Sequence, residues 1–236
     1  MHERLTSAYS GEMPCPYFRD GRLSRIEYHR LRLHPLQVFD VLLERGFRRI
    51  GSIFYRTACR DCSACIPIRL DVRRFSLHKS QRRTMRLNAD IRVSVGESEV
   101  TDEKVALYRM YLATKHGVPE SDEDRDHEME LSVMHYGYAQ TLEMDYYVDG
   151  RLVGVGIVDE AAKSLSSNYF YYDTDLMQRR LGVFSILNEI SFAQFLGKKY
   201  YYLGYYIEEM PKMSYKRFFR PNEICKDGVW RPFLEV

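Results

Sequence analysis

The sequence predicts an α+β chain in which a cysteine-rich module over residues 1–75 precedes a mixed sheet with flanking helices over residues 76–236. Three observations lead there. Four of the five cysteines lie before residue 66, three of them in Cys59-Arg-Asp-Cys62-Ser-Ala-Cys65 and one in Met13-Pro-Cys15-Pro-Tyr17. The second half reads as strand, strand, strand, helix, strand. Charge is segregated: residues 19–92 carry 18 Lys and Arg, nearly all arginine, against 7 Asp and Glu, whereas residues 97–150 carry 4 against 14, although the whole chain is only +2.

Thiolates two residues apart can turn onto one centre, and four sulfurs satisfy either tetrahedral zinc or an iron–sulfur cluster. Cys15, Cys59, Cys62 and Cys65 are the expected ligands; spacing alone leaves zinc, cluster and free thiols open, and Cys225 is expected to be a free or packing cysteine. The opening residues hold no long apolar run, and the longest apolar stretch, residues 152–158, is strand-sized and broken by Gly154 and Gly156. Neither a secretory signal nor a membrane span is expected. A cytoplasmic, reducing location follows as an expectation, which favours metal or redox chemistry over disulfides.

Residues 35–47 read as a helix, with Pro35 in the first turn, an apolar stripe of Leu36, Val38, Phe39, Leu42 and Leu43, and Gly46 as the stop. Residues 66–72 alternate as a half-buried strand. A basic helix is expected over 76–90, capped by Ser76, with Lys79, Arg82, Arg83 and Arg86 at three- and four-residue steps. Thr101-Asp-Glu opens another helix that runs to Gly117, and the acidic run over 119–130 reads as a solvated loop. Strands at 141–148 and 151–158 flank Asp149-Gly150, a strong hairpin signal. A third strand at 165–172, a helix at 184–195 closed by Gly197, and a strand at 199–206 complete the half.

An arginine-rich half beside clustered cysteines points to a polyanion, and nucleic acid is the expected one. Tyr169, Tyr171, Tyr172, Tyr200, Tyr201, Tyr202, Tyr205 and Tyr206 fall on two adjacent elements, and those facing outward could stack on bases. The β-β-β-α-β order with one crossover helix resembles the core of GNAT-type acyltransferases, so a GNAT-like domain is expected. Gln178-Arg-Arg-Leu-Gly-Val-Phe184 resembles the acyl-CoA signature of that fold, but Phe184 stands where a small residue should let the backbone approach a pyrophosphate. Coenzyme A is therefore not expected.

Further blocks carry a closer resemblance. They are Cys15-Pro-Tyr, Gly46-Phe-Arg-Arg, Tyr55-Arg56, Cys65-Ile-Pro-Ile-Arg69, Ser80-Gln-Arg-Arg83, Asn88-Ala-Asp90, Tyr171-Tyr-Asp173, Leu181-Gly182, Tyr202-Leu-Gly-Tyr205, Lys212-Met-Ser-Tyr-Lys216 and Phe219-Arg220-Pro221. Together they resemble the arginyl-tRNA–protein transferase family in its compact bacterial, leucyl branch. The resemblance implies transfer of an amino acid, leucine before arginine, from aminoacyl-tRNA to the α-amine of proteins with an N-terminal Asp or Glu, as part of an N-degron degradation pathway. Such an aminolysis starts from an activated ester and needs no ATP.

On that reading Asp173, at the end of a tyrosine-rich strand, is the expected proton acceptor or amine-positioning group, with Asp175 as its competitor. Arg82, Arg83, Lys216 and Arg220 are the candidate cations for the acidic side chain, and Tyr171 and Tyr205 complete the expected substrate-binding set. Two other readings account for part of the chain: a CoA-dependent N-acetyltransferase explains the second half, and a non-catalytic zinc RNA-binding protein the first. The histidines at 34, 78, 116 and 135 have no metal-type spacing.

Overall fold

The computed structural model describes residues 7–30, 36–118, 125–138 and 140–233. The first third forms strands β1 (Ala8–Tyr9), β2 (Met13–Pro14), β3 (Leu23–Ser24) and β4 (Ile26–Arg30), helix α1 (Leu36–Glu44), and strands β5 (Arg48–Ile50) and β6 (Ile53–Thr57). An antiparallel sheet is ordered β1-β4-β6-β5, and β2 pairs with β3 in a separate ribbon. The apolar stripe read for α1 is its buried face: Phe39, Leu42 and Leu43 pack with Phe47, Phe54 and Tyr138. Its expected first-turn Pro35, like His34, lies outside the described residues. Gly46 makes the turn out of α1 at φ +80°, and a Cβ there would sit 2.9 Å from the Pro67 ring, so the position suits glycine on both counts.

The remaining elements are β7 (Ile66–Asp71), α2 (Lys79–Leu87), β8 (Arg92–Glu97), α3 (Asp102–His116), α4 (His127–His135), β9 (Thr141–Val148), β10 (Arg151–Glu160), β11 (Ser164–Tyr172), α5 (Leu181–Phe195), β12 (Tyr200–Tyr206), the short α6 (Pro211–Ser214), β13 (Asn222–Lys226) and β14 (Val229–Pro232). Eight strands make one mixed sheet in the order β14-β13-β7-β12-β11-β10-β9-β8. Among the described residues only the β11–β12 pair is parallel, and a crossover helix, α5, joins those two strands. Strand β7 precedes residue 75 yet lies between β13 and β12, so the large sheet draws on both sides of the division expected there.

Strand β10 feeds both faces of the sheet, with register shifts between Leu152 and Gly154 and between Ile157 and Val158 that reset its alternation. Leu152, Val155 and Ile157 pack with Leu107, Tyr108 and Leu131 of α3 and α4; Val153 and Val158 join the cluster built on Phe184, Leu187 and Ile190 of α5. The four-stranded sheet is fastened to the large one by a fully buried ion pair, Arg49 Nη2 to Asp159 Oδ1 at 2.7 Å.

Where the sequence and the structure differ, local side chains account for it. Helix α2 starts after His78, whose N–H donates to the Gln81 side chain at 2.9 Å, so Ser76 is not its cap. The acidic run contains a helix: Asp126 accepts the Met129 N–H at 2.9 Å, and Glu128 and Glu130 sit at the positive end of α4. Residues 119–124 of that run lie outside the described residues. Thr101 and Gly117 bound α3 as read, and Asp149 and Gly150 turn the β9–β10 hairpin with positive φ values of 48° and 82°.

Candidate functional site

Strands β11 and β12 begin side by side and then part. Their pairing covers Ser164–Tyr200, Leu165–Tyr201 and Ser166–Tyr202, after which β11 continues to Tyr172 and β12 to Tyr206 without each other. Parting leaves carbonyls on both inner edges that must find other donors. Two cations supply them. Arg48, from β5, donates through Nη2 to the Ser167 and Asn168 carbonyls at 3.1 and 3.0 Å. Lys216, from the turn after α6, donates from Nζ to the Tyr205 carbonyl at 3.0 Å.

Gly204 is what lets Arg48 in. It lies at a register shift in the β12–β7 ladder, with φ +85°, and a Cβ there would come within 2.7 Å of the Arg48 guanidinium carbon. The positive φ favours glycine, and any side chain there would displace the guanidinium. The guanidinium also lies over the Tyr205 ring, 5.7 Å from its centroid.

Lys216 is buried, and its ammonium pKa falls from 10.5 to about 7, first because burial penalises the charge and next because Arg48 is near, with the Glu189 carboxylate opposing. A lysine in this state can hold or release a proton at neutral pH. Glu189 is itself wholly buried on α5, where it accepts the Ser185 and Tyr201 hydroxyls, each at 2.7 Å. Burial pushes its carboxyl up, and those two hydrogen bonds oppose the shift. The parted strands thus enclose one permanent cation, one lysine near neutrality and one buried carboxyl. Tyr205 also lines an open cleft of about 370 Å³ between the two sheets, together with Glu27, Arg56, Thr57 and Cys65.

Of the residues singled out from sequence, Lys216 and Tyr205 meet here. Asp173 does not supply a free carboxylate: buried at the end of β11, its Oδ1 accepts the Asp175 N–H at 2.9 Å and its Oδ2 accepts Arg151 Nη1 at 2.5 Å. It caps a 3-10 turn and ties down the β9–β10 hairpin end. Tyr171 faces α3, fully buried, with its ring 5.4 Å from that of Tyr108, so it offers no face to a substrate. Of the other tyrosines expected as a stacking surface, Tyr201, Tyr202, Tyr205 and Tyr206 are buried, whereas Tyr169, Tyr172 and Tyr200 are half-buried. Arg82 and Arg83 lie on the exposed face of α2, and Arg220 is exposed beside Pro221.

Arg48 escaped the sequence reading as a site residue, although Gly46-Phe-Arg-Arg and Tyr202-Leu-Gly-Tyr205 each drew notice; the signal was that an arginine block and an isolated strand glycine occurred in one chain. At the entry to α5, a Cβ on Gly182 would meet open space, and Phe184 is buried against Tyr146 with ring centroids 5.9 Å apart.

The four N-terminal cysteines gather, since burial and the neighbouring thiols Cys15, Cys59 and Cys62 together push the Cys65 thiol up to about 12. Their sulfurs do not share a coordination sphere: Cys62 Sγ accepts Arg22 Nη1 at 3.5 Å, and Cys59 Sγ points at the Arg25 carbonyl, 3.8 Å away. Among the described residues no group of three or more His, Cys, Asp or Glu is arranged to hold a metal ion. The set does not fit a closed site as it stands, and no step of the chemistry below passes through a metal. No helix among the described residues is long and apolar enough to cross a membrane.

Residues 13–83 match the family described as Arginine-tRNA-protein transferase, N terminus, and residues 103–226 match Arginine-tRNA-protein transferase, C terminus. The chain is 34% identical over 226 residues to an aspartate/glutamate leucyltransferase of Saccharophagus degradans, covering 94% of each chain. Proteins of the same name match from Stenotrophomonas maltophilia, at 35% over 98% of this chain and 94% of that one, and from Shewanella putrefaciens, at 36% over 92% and 91%. Among solved structures, the C-terminal domain of a putative lysylphosphatidylglycerol synthetase from Agrobacterium fabrum aligns at TM-score 0.48 and 13% identity, over 78% of this chain and 57% of that one.

Proposed function

This chain belongs to the arginine-tRNA-protein transferase family, and from that membership we propose that it moves leucine from charged tRNA to the α-amine of proteins beginning with aspartate or glutamate, marking them for degradation in the cytoplasm. The observation that carries the reading is its identity of 34 to 36%, over more than nine-tenths of its length, to relatives named for that transfer. The GNAT-like order of strands and crossover helix, with the chemistry at the parting of β11 and β12, is part of the same proposal.

The reaction exchanges an ester for an amide. The acceptor's α-ammonium gives one proton to neutral Lys216, and the freed amine attacks the ester carbonyl, forming a C–N bond. The nitrogen's second proton passes to the ribose oxygen as the C–O bond breaks, and Lys216 returns its proton to solvent. An α-amine titrates near ~7.7–8.0, so a base near ~7 needs only a small thermodynamic push to take its proton. Holding amine and ester together supplies much of the rest, on the order of 7–11 kcal/mol in favourable cases. Lys216 Nζ is preferred for this role to Asp173 because both Asp173 oxygens are engaged.

The exposed arginines of α2 suit the tRNA backbone, sequence-independently and with strong salt dependence. Ligation of zinc or an iron–sulfur cluster by Cys15, Cys59, Cys62 and Cys65 rests on the donor chemistry alone and requires the four sulfurs to turn together from the arrangement described above. The test of the function is a one-pot competition. Purified protein receives leucyl-tRNA and arginyl-tRNA carrying different labels, together with acetyl-CoA and an Asp-starting peptide. Leucine on the peptide supports the proposal; arginine alone reassigns the donor, and an acetyl group alone overturns the reaction class.

A further inference from the structure

We propose that Arg48 is the residue that reads the acidic side chain of the acceptor, and that Gly204 exists to hold it in place. The inference rests on the transfer reading above and adds to it the cation that selects the substrate. A carboxylate reader must be charged at every working pH, fixed in position and left with donors to spare. Arg48 meets each requirement. Its guanidinium is fixed on two sides, by the Ser167 and Asn168 carbonyls of β11 and by the bare backbone of β12 at Gly204. Both carbonyls are taken by Nη2; among the described residues Nε and Nη1 have no hydrogen-bond partner, and those two N–H groups form the edge that meets a carboxylate in a bidentate pair.

The surroundings point the same way. The acidic residues nearest in the fold are committed elsewhere: Asp159 to Arg49 and Asn168, and Glu189 to two hydroxyls. Lys216 shares the parting but holds its charge only in part near neutrality. Arg48 is half-buried, and the groups around it are the Tyr17, Tyr55 and Tyr205 phenols and the already committed Asp159, so an acceptor's Asp or Glu side chain would bring the free carboxylate that its open edge can pair with. Arg48 and Lys216 lie near each other across the parting, so an acceptor whose carboxylate sits on Arg48 would bring its α-amine toward Lys216.

The test compares R48M, which keeps length and loses charge, with R48K, which keeps charge and loses the fork. Leucine transfer is measured to peptides identical but for a first Glu or Gln, and binding of the same peptides is measured without tRNA. The wild type should favour Glu over Gln in both readouts. R48M should lose that preference at least about tenfold, through KM more than kcat, while binding to leucyl-tRNA is unchanged; R48K should keep part of it. An arginine that only ties the two sheets together would, when removed, weaken both peptides equally, and that result overturns the proposal. If R48M does not fold, R48K decides: full retention of the Glu preference with intact stability would exclude a bidentate reader. A wild-type protein that transfers leucine to no acidic peptide refutes the function itself, whereas wild-type transfer with an unaltered preference in R48M refutes only the role of Arg48.

Discussion

Lys216→Met should make the protein more stable at neutral pH while removing transfer. The folded-state pKa of Lys216 lies near 7 against an ordinary 10.5. At pH 7 the unfolded lysine is fully protonated and the folded one about half so, which costs the fold about 4 kcal/mol at ~1.4 kcal/mol per unit. Between pH 7 and 10.5 the unfolded chain binds more protons than the folded one, so stability gained from this residue rises with pH across that window. Below pH 7 the cost is constant, and above 10.5 it is gone. Methionine removes the cost but strips the Tyr205 carbonyl of its donor, a loss of about 1–3 kcal/mol for a buried acceptor.

The net gain at pH 7 is then about 1–3 kcal/mol, or a few degrees in Tm for a chain of this size. Urea unfolding of both proteins at pH 7 and pH 9.5 measures it. The gap between variant and wild type should move by about 3 kcal/mol in favour of the wild type at the higher pH. A gap that does not change with pH would refute the reasoning, because it would mean that Lys216 is charged in the fold. Such a stability gain bought with activity is the expected signature of a group buried for its chemistry.

Other outcomes follow from the same geometry. Asp173→Asn should lower stability by about 1 kcal/mol, through its cap and its exposed partner Arg151, and leave kcat per folded molecule unchanged; a loss of kcat with intact stability would return the proton to Asp173. Arg82→Glu with Arg83→Glu should weaken leucyl-tRNA binding and reduce the slope of log affinity against log salt by about 2, without altering the Glu-over-Gln preference; an altered preference would make one of them a substrate reader. For the cysteines, metal analysis of protein purified without chelator should show zinc or iron at a stoichiometric level that disappears in a Cys59→Ser, Cys62→Ser variant, and metal-free wild type would set that proposal aside.

What could be read in the sequence was what residues close in the chain decide. The β9–β10 hairpin is announced by Asp149-Gly150, because positive φ at both turn positions selects those residues. Helix α3 is announced by Thr101 and Gly117, which act on backbone groups within a turn. The strands β1 to β6 are two to five residues long, too short for alternation to show, and their stability comes from α1 and the large sheet. Helix α4 hid in the acidic run because charge was read as solvation, whereas Asp126, Glu128 and Glu130 favour a helix start.

The site was legible in its parts and not in its assembly. Lys216 stood out as one of several cations, but its burial depends on elements far off in sequence. Arg48 gains its meaning from carbonyls 119 and 120 residues away and from the absence of a side chain at Gly204. Asp173 looked catalytic by position alone; its partner Arg151, 22 residues earlier, became visible only in the fold.

The most direct measurement of the central claim is to incubate the protein with leucyl-tRNA and two peptides that differ only in a first Glu or Ala, and to locate any leucine by tandem mass spectrometry. The account predicts leucine in amide linkage on the α-amine of the Glu peptide alone. Leucine on neither peptide, or on both to the same extent, would contradict it.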